Sequence, residues 1–278
     1  MFNKVFKYDF KYSFRIWWIF AVATVGVSVV AGILLQNMVH YTEIAVKNVL
    51  FETLSLFGLL FCFLGLGLFP LVYIITSIVR YYTNFFSDEG YLTFTLPVKR
   101  SVLLNSKILS FFVYHVMTFA VLILDIFIFL LVAAGFKNFF QGFNNVIQGI
   151  SETIPHLSAS ALVCLVFLPL YLLSFSLLSM NIYYSSLTFG AIIAKKHKVL
   201  AAIGIYFGIG TILSFIDRII GAFTLHPLLK GFFSYADFTD MGWELVGFLS
   251  ASTVVYAAAA FGLYLFNLHC LKNNLNLS

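Results

Sequence analysis

Long apolar stretches separated by short polar segments run through most of the chain. No charged residue occurs between Arg15 and Glu43 or between Glu52 and Arg80. A bilayer core about 30 Å thick needs roughly 20 apolar helical residues, so each of these gaps is long enough for one transmembrane helix. The same criterion along the chain predicts six spans, at residues 17–38, 54–80, 108–134, 157–186, 199–221 and 245–270.

The uncharged stretch between Glu152 and Lys195 is about twice as long as one span requires. Two spans would need a polar turn between them, and residues 162–173 contain none. Proline is tolerated inside membrane helices. We therefore predict one long helix kinked at Pro169, with the polar stretch 181–188 at its cytoplasmic end.

The composition supports a membrane protein. Hydrophobic residues make up 62% of the 278 residues and charged residues only 10%, whereas soluble proteins carry about 25% charged residues. So few charges cannot cover a water-exposed surface, which excludes a soluble enzyme. The alternating pattern of a transmembrane β-barrel is absent. The fold class predicted is therefore an all-α integral membrane protein.

Lysine and arginine concentrate in alternate loops, which predicts the orientation. With the N-terminus inside, twelve of the 16 fall in cytoplasmic segments, Arg218 lies at a membrane edge, and only Lys47, Lys137 and Lys230 fall outside. By the positive-inside rule, both termini are expected in the cytoplasm. The net charge of +5 then reflects topology and affinity for anionic lipid. No basic domain remains that would bind nucleic acid.

Residues 1–16 are expected to form an amphipathic helix in the membrane interface. At 100° per residue their four cations fall within an arc of about 80°, and four phenylalanines lie on the other side. The alternative is an ordinary basic tail before the first span. The residues concerned are Lys4, Lys7, Lys11 and Arg15, and Phe2, Phe6, Phe10 and Phe14.

The segment 81–106, between spans two and three, is predicted to contain a short helix at about 87–95. Ser87 is a suitable N-cap, and Asp88 and Glu89 follow where the helix dipole favours acids. Pro97 biases the preceding residue away from helix. Exposed apolar side chains on this helix indicate either an interaction surface or a helix lying on lipid. These side chains are Tyr91, Leu92, Phe94 and Leu96.

The sequence NFFSDEGYLTFTLPVKRSVLLNSKILS, residues 84–110, resembles the segment after the second span in permease subunits of bacterial type-two class ABC exporters. Six spans with both termini inside agree with that family. The resemblance implies a coupling helix that docks on a separate ATPase subunit through Ser87, Asp88, Glu89, Gly90, Tyr91, Leu92, Phe94 and Pro97. It implies a second contact at Lys195, Lys196 and Lys198, for which a simple positive-inside anchor is the alternative.

The resemblance also implies a location in the bacterial cytoplasmic membrane and outward transport. Two permease copies would assemble with two ATPase subunits, a homodimer being preferred and a pair of unlike chains being the alternative. Spans two and five would line the path, with Phe57, Phe61, Phe69, Asp125 and Tyr206 as candidate wall residues. Apolar walls favour hydrophobic or amphipathic cargo, such as a peptide toxin, a bacteriocin, a lipid or a drug.

Nucleotide and metal motifs are absent from the sequence. A phosphate-binding loop requires a Gly-Lys pair, and the chain contains none. We therefore expect no cofactor in this chain, with ATP and Mg²⁺ bound by the partner. There is no HExxH or CxxC motif either, so no metal site is expected. The three cysteines lie within or at the end of predicted spans, and we assign no disulfide.

The predicted domains are the segment 1–16, one six-helix transmembrane domain over 17–272 and a tail over 273–278. Residues 222–243, before the last span, fit either a segment dipping into the outer leaflet or an ordered outer loop. Asp217 and Arg218, near the outer end of span five, would form structural pairings or an outer gate.

Asp125 is the main basis for a different function. An acid at the centre of a span costs about 2.5–3.5 kcal/mol, so Asp125 is either functional or paired with a polar neighbour. An ion-coupled secondary transporter using Asp125 is therefore the alternative, and a proton relay with His115 would need a further partner. Such transporters usually show internal repeats, and none is clear here. A membrane enzyme or scaffold is a third class, and the spans contain no clustered catalytic set.

Overall fold

The computed structural model describes residues 2–43, 49–95, 97–153, 158–194, 196–224 and 238–273. Every regular element within these ranges is an α-helix. The helices are α1 (Phe2–Glu43), α2 (Val49–Phe86), α3 (Asp88–Thr95), α4 (Arg100–Ala134), α5 (Phe136–Thr153), α6 (Ala159–Ile193), α7 (Lys198–Thr224) and α8 (Phe238–Asn273).

Six of these helices are long and apolar enough to cross a membrane, which confirms the predicted number of spans. The chain is therefore built as a multi-pass helical membrane protein. The spanning stretches are Phe2–Met38, Thr53–Phe86, Arg100–Ala134, Ala159–Ile193, Lys198–Thr224 and Gly242–Asn273. They extend beyond the predicted spans because the helical backbone continues through the polar and aromatic flanks. Residues 225–237 of the predicted outer loop and 274–278 of the tail lie outside the described residues.

The chain divides into two compact units. The first comprises residues 1–79 and 109–155, and the second comprises residues 80–108 and 156–278. Helices α2 and α4 each contribute one part to either unit.

In the first unit, α1 packs along α2 and α4. The buried Trp17 side chain donates a hydrogen bond from Nε1 to Thr118 Oγ1 over 2.8 Å. Its ring centroid lies 6.0 Å from that of Phe69 on α2. Further along α1, a Cβ on Gly32 would lie 2.7 Å from Val132 Cβ, so this glycine permits a close approach to α4.

The predicted N-terminal amphipathic segment is continuous with the first span, because α1 runs without a break from Phe2 to Glu43. Its four phenylalanines stack in sequence, with centroid distances between 5.7 and 6.3 Å. Phe10 also stacks on Tyr114 at 5.0 Å, and the Tyr114 hydroxyl donates a hydrogen bond to the Phe10 carbonyl. The four cations are exposed. The phenylalanine face is therefore covered in part by α4.

In the second unit, α6 is a single helix of 35 residues with Pro169 inside it, which confirms the prediction of one long helix. Leu178 on α6 packs with Tyr256 and Ala260 on α8 in an apolar core. The polar residues predicted at its cytoplasmic end lie in the last third of α6 and are buried. They are Asn181, Ser185, Ser186 and Thr188.

Candidate functional site

Helix α3 rests on the end of α2 through one of its faces. The Phe94 ring centroid lies 5.7 Å from that of the fully buried Phe85. Gly90 is buried, and a Cβ there would lie 3.0 Å from the Phe85 carbonyl oxygen. Gly90 and Phe94, four residues apart, therefore form the inward side of the helix. Two of the predicted docking residues are thus used to seat α3 on α2.

The opposite side of α3 is exposed. Glu89, Leu92 and Thr95 are spaced by three residues, so they share one helical face. The side chain of Glu89 is 61% exposed, Leu92 is 67% exposed and Thr95 is also exposed. Glu89 lies 3.9 Å from the guanidinium of Arg80, at the end of α2. Of the predicted docking residues on α3, Glu89 and Leu92 are therefore available to a partner.

The remaining predicted docking residues flank this face or lie beyond the described side chains. Ser87 precedes α3, and its hydroxyl donates a hydrogen bond to the Thr83 carbonyl over 2.5 Å. Pro97 is exposed. Asp88 and Tyr91 belong to the helix, but their side chains lie outside the described part of the chain.

Arg100 contacts both the inward face of α3 and the C-terminal end of α8. Its guanidinium carbon lies 5.2 Å from the centroid of the Phe94 ring, within the range of a cation–π interaction. The same guanidinium donates hydrogen bonds to the carbonyls of Leu271 and Lys272, the latter over 2.7 Å. These are among the last carbonyls of α8, which have no partner inside the helix. One cation therefore contacts the inward face of α3 and caps α8.

Sequence reasoning did not identify Arg100 as a functional residue. A signal was present, because a cation in the first turn of a helix is unfavourable for the helix dipole. Arg100 begins α4, and such a residue is best explained by an interaction with another element.

A buried polar and aromatic cluster lies directly beneath α3. Tyr81 on α2 stacks on Tyr184 of α6 with a centroid distance of 4.1 Å. The Tyr81 hydroxyl lies 2.8 Å from Thr188 Oγ1, and Tyr184 donates a hydrogen bond to the Lys107 carbonyl over 3.3 Å. Both tyrosines are at most 1% exposed. The close stacking and the buried hydrogen bonds tie the end of α2 firmly to α6 and to the beginning of α4.

The basic loop between α6 and α7 is described in part. Lys196 is exposed, and Lys198 is the first residue of α7. Lys195 lies outside the described residues. A Cβ on Gly190, near the end of α6, would lie 2.6 Å from the Ala202 nitrogen, so the two helices are in tight contact close to this loop.

Asp125 occupies a buried polar site between α4 and α1. Its side chain is fully buried and faces the hydroxyl groups of Thr24 and Ser28. These hydroxyls donate their own protons to the carbonyls of Ala21 and Val25, over 2.9 and 2.8 Å. Among the described residues, none donates a hydrogen bond of ordinary geometry to either carboxyl oxygen. Thr24 and Ser28 are therefore the polar neighbours of Asp125 within the first unit.

His115 is engaged elsewhere on α4. Its Nδ1 lies 2.6 Å from the Tyr73 hydroxyl on α2. Ten residues of helix, about 15 Å, separate it from Asp125. The two residues therefore do not form a direct relay.

The candidate path residues lie in different environments. Phe57 and Phe61 are 64% and 69% exposed on α2, whereas Phe69 is 1% exposed because it packs on Trp17. Tyr206 on α7 is 36% exposed and stacks on Tyr183 with a centroid distance of 5.3 Å. Phe57 and Phe61 are therefore available to line a surface, and Phe69 serves the interior of the first unit.

The two candidate gate residues, Asp217 and Arg218, also lie in different environments. Asp217 accepts a hydrogen bond from the Tyr256 hydroxyl of α8 over 2.8 Å. Arg218, the next residue, is exposed. Asp217 thus joins α7 to α8, and a part of Asp217 and Arg218 in an outer gate stays a prediction.

Within the described ranges, no group of three or more potential metal-ligating side chains occurs. Cys62, Cys164 and Cys270 are free thiols. Comparison of the chain with protein-family models, with curated proteins and with solved structures found no match.

Proposed function

We propose that the chain is the membrane permease subunit of an ATP-driven exporter of the type-two ABC class. It lies in the bacterial cytoplasmic membrane with both termini in the cytoplasm. A separate subunit binds ATP and Mg²⁺, because the sequence contains no phosphate-binding loop. The cargo is hydrophobic or amphipathic.

The observation that carries this proposal is the division of α3 into two faces. One face is fixed to α2 by Phe94 and Gly90, while Glu89, Leu92 and Thr95 remain exposed on the other. A short helix seated in this way between two spans is suited to receive a protein partner. The buried stack of Tyr81 on Tyr184 gives it a stiff base, so a displacement of α3 would move the attached helix ends.

Arg100 provides a second connection through which a movement of α3 would reach another helix. Because its guanidinium contacts Phe94 and also binds the last carbonyls of α8, a shift of α3 alters the cap of α8. ATP-dependent closure of the partner subunits would then switch the permease between two packings.

A second copy of this chain is the partner that we propose for α7. Among the described residues of α7 only Ala202 is buried, and a Cβ on Gly204 or Gly208 would have no atom within 4 Å. Small residues four apart allow membrane helices to approach closely. A homodimer through this face is preferred, and a pair of unlike permeases is the alternative.

The test is to purify the chain from its native membrane, to ask whether an ATPase subunit co-purifies with it, and to measure complex formation and transport with that subunit. Leu92→Ala removes a side chain that is 67% exposed. If the partner buries it, the loss of about 1–2 kcal/mol weakens association about 5- to 30-fold. Thr93→Ala, on the neighbouring half-buried position, is the matched control and should leave association unchanged.

The proposal fails if no ATPase associates with the chain. It also fails if Leu92→Ala combined with Glu89→Lys leaves both association and transport intact.

An ion-coupled secondary transporter is the second candidate function, and the buried site at Asp125 favours it. The carboxyl group is fully buried beside the hydroxyl groups of Thr24 and Ser28, and an acid buried within a span is a candidate for taking up a proton or a cation. Loss of transport in Asp125→Asn, in a chain that binds no ATPase, would support this function over the exporter.

A further inference from the structure

A second amphipathic helix, α5, follows α4 after a single glycine. Gly135 has a φ of +75°, a conformation that glycine adopts without strain. The turn brings Phe139 of α5 back against Phe127 of α4, with ring centroids 4.9 Å apart. Phe127 lies seven residues, or about 10 Å, before the end of the spanning helix. The first turn of α5 therefore packs against α4 near the end of that span.

The residues of α5 separate into two faces. At 100° per residue, seven apolar side chains fall within an arc of about 120°. Apart from the buried Phe139, each is between 40% and 70% exposed. They are Phe136, Phe139, Phe140, Phe143, Val146, Ile147 and Ile150.

The opposite face of α5 is polar but nearly uncharged. It carries five amide side chains, and its two charges, Lys137 and Glu152, cancel. The amides are Asn138, Gln141, Asn144, Asn145 and Gln148. This face is suited to water and lipid headgroups of any charge.

We propose that α5 lies in the membrane interface where α4 ends, with its apolar face inserted at the boundary between headgroups and acyl chains. Continuity with a spanning helix supports lipid as the occupant. Phe127, the residue of that span which Phe139 contacts, is itself 43% exposed. Buried apolar area and attraction to anionic lipid are the two sources of interfacial binding. Helix α5 has a large apolar area but no net charge, so we expect its binding to be independent of lipid charge. In this it differs from residues 2–16, where four cations line one face.

The experiment uses the full chain with its three native cysteines replaced by alanine. A single cysteine is introduced as Phe143→Cys on the apolar face or as Asn145→Cys on the polar face, about 200° away at 100° per residue. Each variant is labelled with an environment-sensitive fluorophore and reconstituted in phosphatidylcholine vesicles, with and without spin-labelled phosphatidylcholine. Ile147→Cys is a second apolar-face position should Phe143→Cys fail to fold.

We expect the probe at position 143 to emit at shorter wavelength and to be quenched several-fold more by spin-labelled lipid than the probe at 145. The ratio of quenching at position 143 to quenching at position 145 should not change when phosphatidylglycerol is added. Equal quenching at both positions overturns the proposal. A shielded probe at 143 that lipid does not quench also overturns it, because a protein would then cover this face. None of these outcomes depends on an ATPase partner.

Discussion

The contact of Gly190 with α7 predicts a large effect from a single methyl group. In Gly190→Ala, the new Cβ would lie 2.6 Å from the nitrogen and 2.7 Å from the Cα of Ala202. Carbon atoms pack at about 3.5–4.0 Å. The opposing atoms belong to the backbone and cannot rotate away. The substitution therefore requires α6 and α7 to separate by about 1 Å.

The expected loss follows from two opposing contributions. Overpacking typically costs about 1–3 kcal/mol, and a clash with backbone belongs near the upper end. Alanine is favoured over glycine inside a helix by about 1 kcal/mol. We therefore expect the free energy of unfolding of Gly190→Ala to fall by about 2 kcal/mol.

Gly204→Ala on α7 is the matched control, because its Cβ would have no atom within 4 Å. Its free energy of unfolding should stay the same or rise by up to about 1 kcal/mol. Reversible unfolding of the purified chain in mixed micelles, followed by circular dichroism as the fraction of sodium dodecyl sulfate rises, measures both. Equal stabilities of the two variants would refute the packing argument.

Three further predictions use the same unfolding measurement. Arg100→Gln removes the cation from Phe94 and the cap from α8, and should lower the free energy of unfolding by about 1 kcal/mol and speed amide exchange in the last turn of α8. Trp17→Phe should cost about 1 kcal/mol by leaving the buried Thr118 hydroxyl without its donor, and adding Thr118→Val should recover part of it. Asp125→Asn should be at least as stable as the parent, because it removes an acid that costs about 2.5–3.5 kcal/mol within a span. A loss of stability would indicate that the carboxylate binds a cation.

The sequence predicts the spans well because a helix in lipid needs about 20 apolar residues, and charges mark the ends of such stretches. It also places α3 within a residue, through the acids after Ser87 and the proline at 97. The long helix through Pro169 follows from the absence of any polar turn in the stretch around it.

The sequence does not predict which face of α3 is inward. Apolar side chains occur on both sides of this eight-residue helix. Which side is buried depends on contacts with α2, and the residue pattern of α3 alone does not reveal those contacts. Buried roles for Phe69 and for the polar residues of α6 are missed for the same reason. In a membrane span, hydrophobicity does not distinguish an interior side chain from one facing lipid.

Helix α5 could have been predicted. Its apolar residues recur at intervals of three and four from Phe136 to Ile150, which is the period of an amphipathic helix. A search based on uncharged spans does not detect it, because amides rather than charges separate its faces.

The contacts beneath α3 also set an order of events during biosynthesis. Tyr81 meets Thr188 across 107 residues of chain, and Arg100 meets the end of α8 across 171 residues or more. A nascent chain that has emerged only as far as α5 contains all the helices of the first unit, but α3 still lacks its support. The surface proposed for the ATPase is thus completed only after α8 has been translated, so we expect a chain truncated before α8 not to bind this partner.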